Sequence, residues 1–172
     1  TGFIAIAVGP VHSLGLKADG SIAAWGSNQY GQNAVPAPNT GFIAVAAGGA
    51  HSLGLKHDGS ILVWGTKDRG QTNPPATNSG FIAVAAGQFH SLGLNADGSI
   101  TAWGDNDSGQ SNVPTPNTGF IAVAAGGAHN LGLKTNGSIV AWGDSSGGLT
   151  PVPAPNANFL SIAAGGFHSL GL

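Results

Sequence analysis

The sequence predicts an all-β fold of the propeller type. Three observations carry that prediction: a 39-residue period, a turn-bounded strand pattern inside each period, and the lack of any apolar pattern with helical spacing. Copies of the unit begin at Thr1, Thr40, Ser79, Thr118 and Ala157. Four complete units (1–39, 40–78, 79–117, 118–156) and a partial one (157–172) therefore fill the 172 residues as a single repeat domain, with no insertion to break the register.

Within a unit, Phe3 to Val8 is a short apolar run closed by Gly9, and its length and glycine boundary predict a buried strand. His12 to Leu16 follows as a second strand with Leu14 and Leu16 on one face. Asp19-Gly20 predicts a tight type I′ hairpin turn, repeated as Asp58-Gly59, Asp97-Gly98 and Asn136-Gly137. The third strand, Ser21 to Gly26, carries Trp25. A polar loop from Ser27 to Tyr30 then leads through Gly31-Gln32 into Val35-Pro36-Ala37-Pro38. Proline there removes ladder donors, which makes this piece an outer edge or a connector. A unit of three or four such strands has two apolar faces, and only neighbours stacked radially on both sides can bury them.

Composition narrows the function. Five basic and seven acidic residues give a charged fraction of 7% and a net charge of -2, against about 25% charged in an ordinary soluble domain. With no Lys/Arg cluster, there is no field to recruit nucleic acid or an anionic membrane surface. No apolar run is long enough to span a bilayer, and no basic-then-apolar signal segment opens the chain. The lack of cysteine excludes disulfides and thiolate zinc sites and leaves the redox compartment open. The lack of methionine leads to the expectation that the chain is a piece of a longer one.

The string His-Ser-Leu-Gly-Leu-Lys-x-Asp-Gly-Ser-Ile-x-x-Trp-Gly-x-Asn-x-x-Gly-Gln at His12 to Gln32, echoed from His51, His90 and His129, resembles the regulator of chromosome condensation repeat. The resemblance covers the whole chain. The short period and Gly-Gln-x-x-Val-Pro are similar to the compact bacterial branch of that family, to which a propeller-type β-lactamase inhibitory protein belongs. The resemblance implies a β-propeller, commonly of seven blades. Four units and a fraction fall short of that number. Both ends carry the same piece of the unit, Thr1 to Leu16 and Ala157 to Leu172, so ring closure by strand exchange within the chain is not expected. The nucleotide-exchange role of the eukaryotic member has no residues to carry it here. A fold of this kind leaves function to be argued from its surface.

The conspicuous side chains read as parts of the unit. His12, His51, His90, His129 and His168 are expected to be hydrogen-bonded structural residues, because equivalent positions on different blades lie too far apart to share a metal ion. Trp25, Trp64, Trp103 and Trp142 are expected in the inter-blade core. Asp105-Asn106-Asp107-Ser108-Gly109 has a calcium-like ring but lacks a closing carboxylate, and its sister loops are poorer in oxygen. Ser13 follows His12, yet neighbours on a strand face opposite ways, and no nucleophile elbow is present. No metal, cofactor or catalytic residue is expected, and no enzyme.

Comparison of the copies separates what the unit dictates from what it leaves free. Variation concentrates after the tryptophan strand and at the pairs Pro10-Val11, Gly49-Ala50, Gln88-Phe89, Gly127-Ala128 and Gly166-Phe167. Loops on a repeated scaffold share a rim, where they can change without cost to the fold. The candidate contact residues are Tyr30, Lys67, Asp68, Arg69, Asp105 and Asp107, joined by Phe89 and Phe167 if the second turn reaches the same face. The expected partner is a protein or a glycan, in an extracellular or cell-surface setting of a bacterium. The alternative is a self-assembling structural protein that pairs through open blade edges into a ring or fibre.

Overall fold

The computed structural model describes residues 2–172. Each complete unit forms one three-stranded antiparallel sheet in simple sequence order. The first contains β1 (Phe3–Val8), β2 (His12–Lys17) and β3 (Ile22–Gly26), and the second β4 (Phe42–Ala47), β5 (His51–Lys56) and β6 (Ile61–Gly65). The third contains β7 (Phe81–Ala86), β8 (His90–Asn95) and β9 (Ile100–Gly104), and the fourth β10 (Phe120–Ala125), β11 (His129–Lys134) and β12 (Ile139–Gly143). The partial unit forms a two-stranded sheet of β13 (Ile162–Ala164) and β14 (Ser169–Gly171). Among the described residues the single helical element is a 3-10 turn, Ser146–Gly148. The first strands of successive units pack side by side, so the sheets stand radially as four blades and part of a fifth in an open β-propeller.

Two local features depart from the sequence reading. The Asp19-Gly20 hairpin is not a type I′ turn, because only Gly20 has a positive φ, 76°. The Gly20 N–H donates to the Lys17 carbonyl at 3.0 Å and the Lys17 N–H to the Ser21 carbonyl at 2.9 Å. This is a type I turn closed by a left-handed glycine in a bulge. It leaves the Asp19 carboxylate free to accept both the N–H and the hydroxyl of Ser21, at 2.9 and 2.6 Å. The segment from Val35 to Pro38 joins no sheet, so each blade has three strands. It is a connector, and Asn39 at its end clamps the outer strand of its own blade. The Asn39 side chain accepts from the Ile22 N–H and donates to the Ile22 carbonyl, both at 2.8 Å, in place of a missing strand.

The core lies between blades. Leu14, Leu16 and Ile22 of the first blade enclose Phe42 and Trp64 of the second. Leu53, Leu55 and Ile61 enclose Phe81 and Trp103, and Leu92, Leu94 and Ile100 enclose Phe120 and Trp142. Each blade thus offers a Leu-Leu-Ile slot and inserts a Phe and a Trp into its neighbour. The Phe42 ring lies where a Cβ on Gly54 would sit, 2.5 Å from it, which explains the glycine within the His-Ser-Leu-Gly-Leu strand. Among the described residues nothing packs on the outer side of the first blade to receive its inserted pair. Trp25 is accordingly 49% exposed and Phe3 47%, so Trp25 is not in an inter-blade core and β1 is not a buried strand.

Candidate functional site

A polar relay crosses each seam beside the apolar slot. His12 Nε2 lies 2.9 Å from Ser52 Oγ of the next blade, and that hydroxyl donates to the Gln32 carbonyl at 2.9 Å. The same carbonyl accepts the Trp64 indole N–H at 2.8 Å. His51 repeats the pattern with Ser91 and Gln71, and His90 with Asn130 and Gln110. Because the hydroxyl or amide spends its proton on the carbonyl, it must accept from the ring. The ring therefore donates from Nε2, and its Nδ1 is buried with no partner to take a second proton, which favours the neutral imidazole. Burial, helped by the rings of His90 and His12, lowers the His51 pKa to about 3. Burial also lowers those of His12, His90 and His129. His168 departs from its series and is exposed.

The glutamines tie this seam to the surface loops. Gln32, Gln71 and Gln110 are buried, and their Oε1 atoms accept the backbone N–H of Tyr30, Arg69 and Ser108 at 2.9, 2.8 and 2.8 Å. The candidate loops are thus held at their centres. One residue serves both purposes, its side chain pinning the loop and its carbonyl closing the seam. Sequence reading missed this role. The recurrence of Gln after Gly in three units, with Leu149 in the fourth, was the available signal.

The rim gathers several of the expected residues. Arg69 of the second blade reaches across to the third, with Nη1 2.7 Å from Asp107 Oδ2 and 3.2 Å from Asp105 Oδ1. These contacts raise the Arg69 pKa, Asp107 contributing most. Asp105 also accepts from Gln110 Nε2 at 2.7 Å, and Asp68 accepts the Thr66 hydroxyl at 3.0 Å. Tyr30 and Lys67 are exposed and hold no side-chain hydrogen bond among the described residues. The Asp105 N–H donates to the Phe89 carbonyl at 2.9 Å, which puts the turn between first and second strands on the same rim as the loops. Phe89 thereby shares the face with Asp105, and Phe167 occupies the equivalent turn of the partial unit, 84% exposed.

At the axis that rim opens into a groove of about 420 Å³. Its walls are the glycines that end each first strand, including Gly9, Gly48, Gly87 and Gly126. A Cβ on any of these four would collide with the carbonyl of the next unit, so the close approach of first strands requires glycine. Pro10, Gln88 and Phe167 stand at the groove and vary between copies. No cluster of three or more metal-ligating side chains occurs among the described residues.

Comparisons with known proteins agree with this architecture. The family model of the regulator of chromosome condensation (RCC1) repeat matches four times, at residues 3–32, 42–71, 81–110 and 120–148. Among curated proteins no sequence matches the chain. Among solved structures, Prp20p from Saccharomyces cerevisiae superposes with a TM-score of 0.82 at 22% identity, covering 98% of this chain and 55% of that one. The ectodomain of the receptor kinase CR4 from Physcomitrella patens gives 0.82 at 28% identity, covering 99% and 48%. The CRINKLY WD40 ectodomain of the receptor kinase ACR4 from Arabidopsis thaliana gives 0.81 at 24%, covering 98% and 67%. The chain thus spans about half the length of the Prp20p and CR4 structures it resembles.

Proposed function

The chain belongs to the regulator of chromosome condensation (RCC1) repeat family, and on that premise we propose that it is a non-enzymatic interaction module that holds a protein or glycan on its loop rim. The observation that carries this reading is the bridge from Arg69 to Asp105 and Asp107, which joins loops of two blades into one polar surface flanked by exposed Tyr30 and Lys67. Tyr and Arg are residue types that dominate interface energetics, and here buried glutamines hold their backbones in place. Proteins of this architecture bind other proteins. Prp20p is described with binding properties to Gsp1p and histones, and yeast RCC1 (Prp20) in complex with Kap60.

The test is a binding screen of immobilised chain beside the double variant Tyr30→Ala/Arg69→Ala, against protein fractions and a glycan array. Partners held by the rim lose about tenfold or more in affinity on the double variant. Equal retention on both surfaces would refute the assignment.

A second reading, self-assembly through the open blades, is favoured by one observation. The first blade leaves Phe3 and Trp25 half exposed, and the last sheet leaves Leu170 and Leu172 61% and 78% exposed. These are the inserted pair and part of the receiving slot. A particle mass in solution that stays at 16.8 kDa as concentration rises would eliminate it.

A further inference from the structure

Four hairpin turns join second and third strands, and one of them differs in a single functional group. Asp19, Asp58 and Asp97 each precede Gly-Ser, and each carboxylate accepts the N–H and the hydroxyl of that serine at 2.9 and 2.6 Å. The fourth turn carries Asn136, the chain's single asparagine followed by glycine. Its Oδ1 accepts the Ser138 N–H at 3.0 Å and the Ser138 hydroxyl at 2.7 Å. An amide thus occupies a place that the other three turns give to a carboxylate.

That exchange alters the chemistry of the turn. Two donors on Oδ1 draw electron density from Cγ and stabilise charge that develops on the oxygen under attack, as an oxyanion hole does. The nucleophile within reach is the backbone nitrogen of Gly137, whose bond to Cγ closes a five-membered ring and which no side chain of its own residue shields. Its N–H donates to the Lys134 carbonyl at 2.9 Å, and this one bond must open before the nitrogen can lose its proton. Asn136 is exposed to the water and base that the reaction needs. By contrast, Asn39, Asn78, Asn117 and Asn156 have Oδ1 and Nδ2 both tied to an isoleucine backbone, and a residue with a side chain follows each.

From these features we propose that Asn136 is a self-modification site, at which the turn converts asparagine to aspartate through a cyclic imide. The Gly137 nitrogen gives its proton to hydroxide and bonds to Cγ, the Cγ–Nδ2 bond breaks, and ammonia leaves with a proton taken from water. Water then opens the ring. Addition at Cγ breaks its bond to the Gly137 nitrogen and gives aspartate, whereas addition at the main-chain carbonyl of residue 136 gives isoaspartate, with an extra methylene in the backbone. An open chain favours the second route. In the turn, the Ser138 donors stand beside the Cγ oxygen and direct water to Cγ. Aspartate also preserves the bond from the Phe159 N–H to the Gly137 carbonyl at 2.9 Å, which a longer backbone would displace. The conversion does not run back. Serine bonds hold the carboxyls of Asp19, Asp58 and Asp97 below the ordinary range, and an ionised carboxylate is a poor electrophile. The turn stands at the strand ends opposite the loop rim, so this site and the rim reading fail or hold separately.

The chain is incubated at mildly alkaline pH, with and without urea, and mapped by mass spectrometry with electron-transfer fragmentation, which separates aspartate from isoaspartate. In the folded chain Asn136 should convert at least about tenfold faster than any other asparagine, its carbonyl polarised and its nucleophile adjacent. Aspartate should be the major product without urea and isoaspartate the major product in urea. Ser138→Ala removes the hydroxyl donor and should raise the isoaspartate share in the folded chain at least about threefold. Circular dichroism checks its fold, and if it fails to fold, the comparison with and without urea decides alone. Asn136 persisting in the folded chain while a capped peptide of Lys134 to Ser138 converts fully, another asparagine converting first, or one product ratio in both conditions would overturn the proposal. An unchanged ratio in folded Ser138→Ala would overturn it as well.

Discussion

Lowering the pH from 7.5 to 5.0 should destabilise the blade array through its buried histidines, and His51 allows the size of the effect to be worked out. The ring is fully buried and its pKa in the folded chain is about 3, against roughly 6.5 when unfolded. Between those values the unfolded chain takes up a proton that the folded chain refuses. The contribution is therefore complete above about pH 6.5 and is lost as pH falls toward the folded value. At pH 5.0, about 1.5 units below the unfolded pKa, the loss from His51 alone is about 2 kcal/mol, at roughly 1.4 kcal/mol per unit. His12, His90 and His129 are lowered in the same direction and add to it. The turn carboxylates of Asp19, Asp58 and Asp97 and the loop carboxylate of Asp144 are lowered from 3.8, so they act below this window. Urea unfolding at both pH values, on the unaltered chain and on His51→Gln, measures the effect. The variant is expected to be less stable at pH 7.5 yet to lose about 2 kcal/mol less on acidification. An equal loss in both proteins, or none in the unaltered chain, would refute the assignment of a neutral, buried imidazole.

Two further substitutions probe the seam and its anchor. Trp103→Ala should cost about 3–5 kcal/mol, because its indole is buried against the preceding blade and bonded to the Gln71 carbonyl. Trp25→Ala at the open face should cost about 1 kcal/mol or less, and urea midpoints that fail to separate the two would contradict inter-blade packing. Gln32 Nε2 is buried without a partner, whereas Gln110 Nε2 donates to Asp105. Ser27→Asp, at the position equivalent to Asp105, should supply the missing acceptor and stabilise by about 1 kcal/mol, read as a raised urea midpoint.

Blade number, strand order and the outward place of the variable loops were legible in the sequence, because each rests on a short-range signal repeated at a fixed period. Glycine after aspartate marks a turn wherever it stands. Which turn it marks was not legible, since type I with a bulge and type I′ both place glycine at a left-handed position. The difference lies in the φ of Asp19, which its carboxylate bonds to Ser21 accompany. The inequality of Trp25 and Trp103 was also hidden. Identical residues at identical phase differ only in whether a neighbouring blade receives them, which is a property of the array. The bridge from Arg69 to Asp105 and Asp107 spans more than a third of a hundred positions in the chain, and no local pattern announces such a pair.

Leu149 shows why the rim and the seam can vary separately. In the first three blades the same position is glutamine, and its two groups face different tasks. The side chain fixes the loop by accepting a backbone N–H two residues earlier, while the main-chain carbonyl accepts the hydroxyl or amide and the indole of the next blade. Replacing glutamine by leucine removes only the first of these. The loop of the fourth blade accordingly takes a different form, a 3-10 turn at Ser146–Gly148 closed by the Leu149 N–H on the Ser146 carbonyl. The carbonyl is untouched, because every residue type carries one. A substitution that reshapes the rim at the fourth blade thus leaves the acceptor of the seam intact, where it takes the hydroxyl of Ser169. Loop diversity on this scaffold is therefore compatible with constant blade stacking.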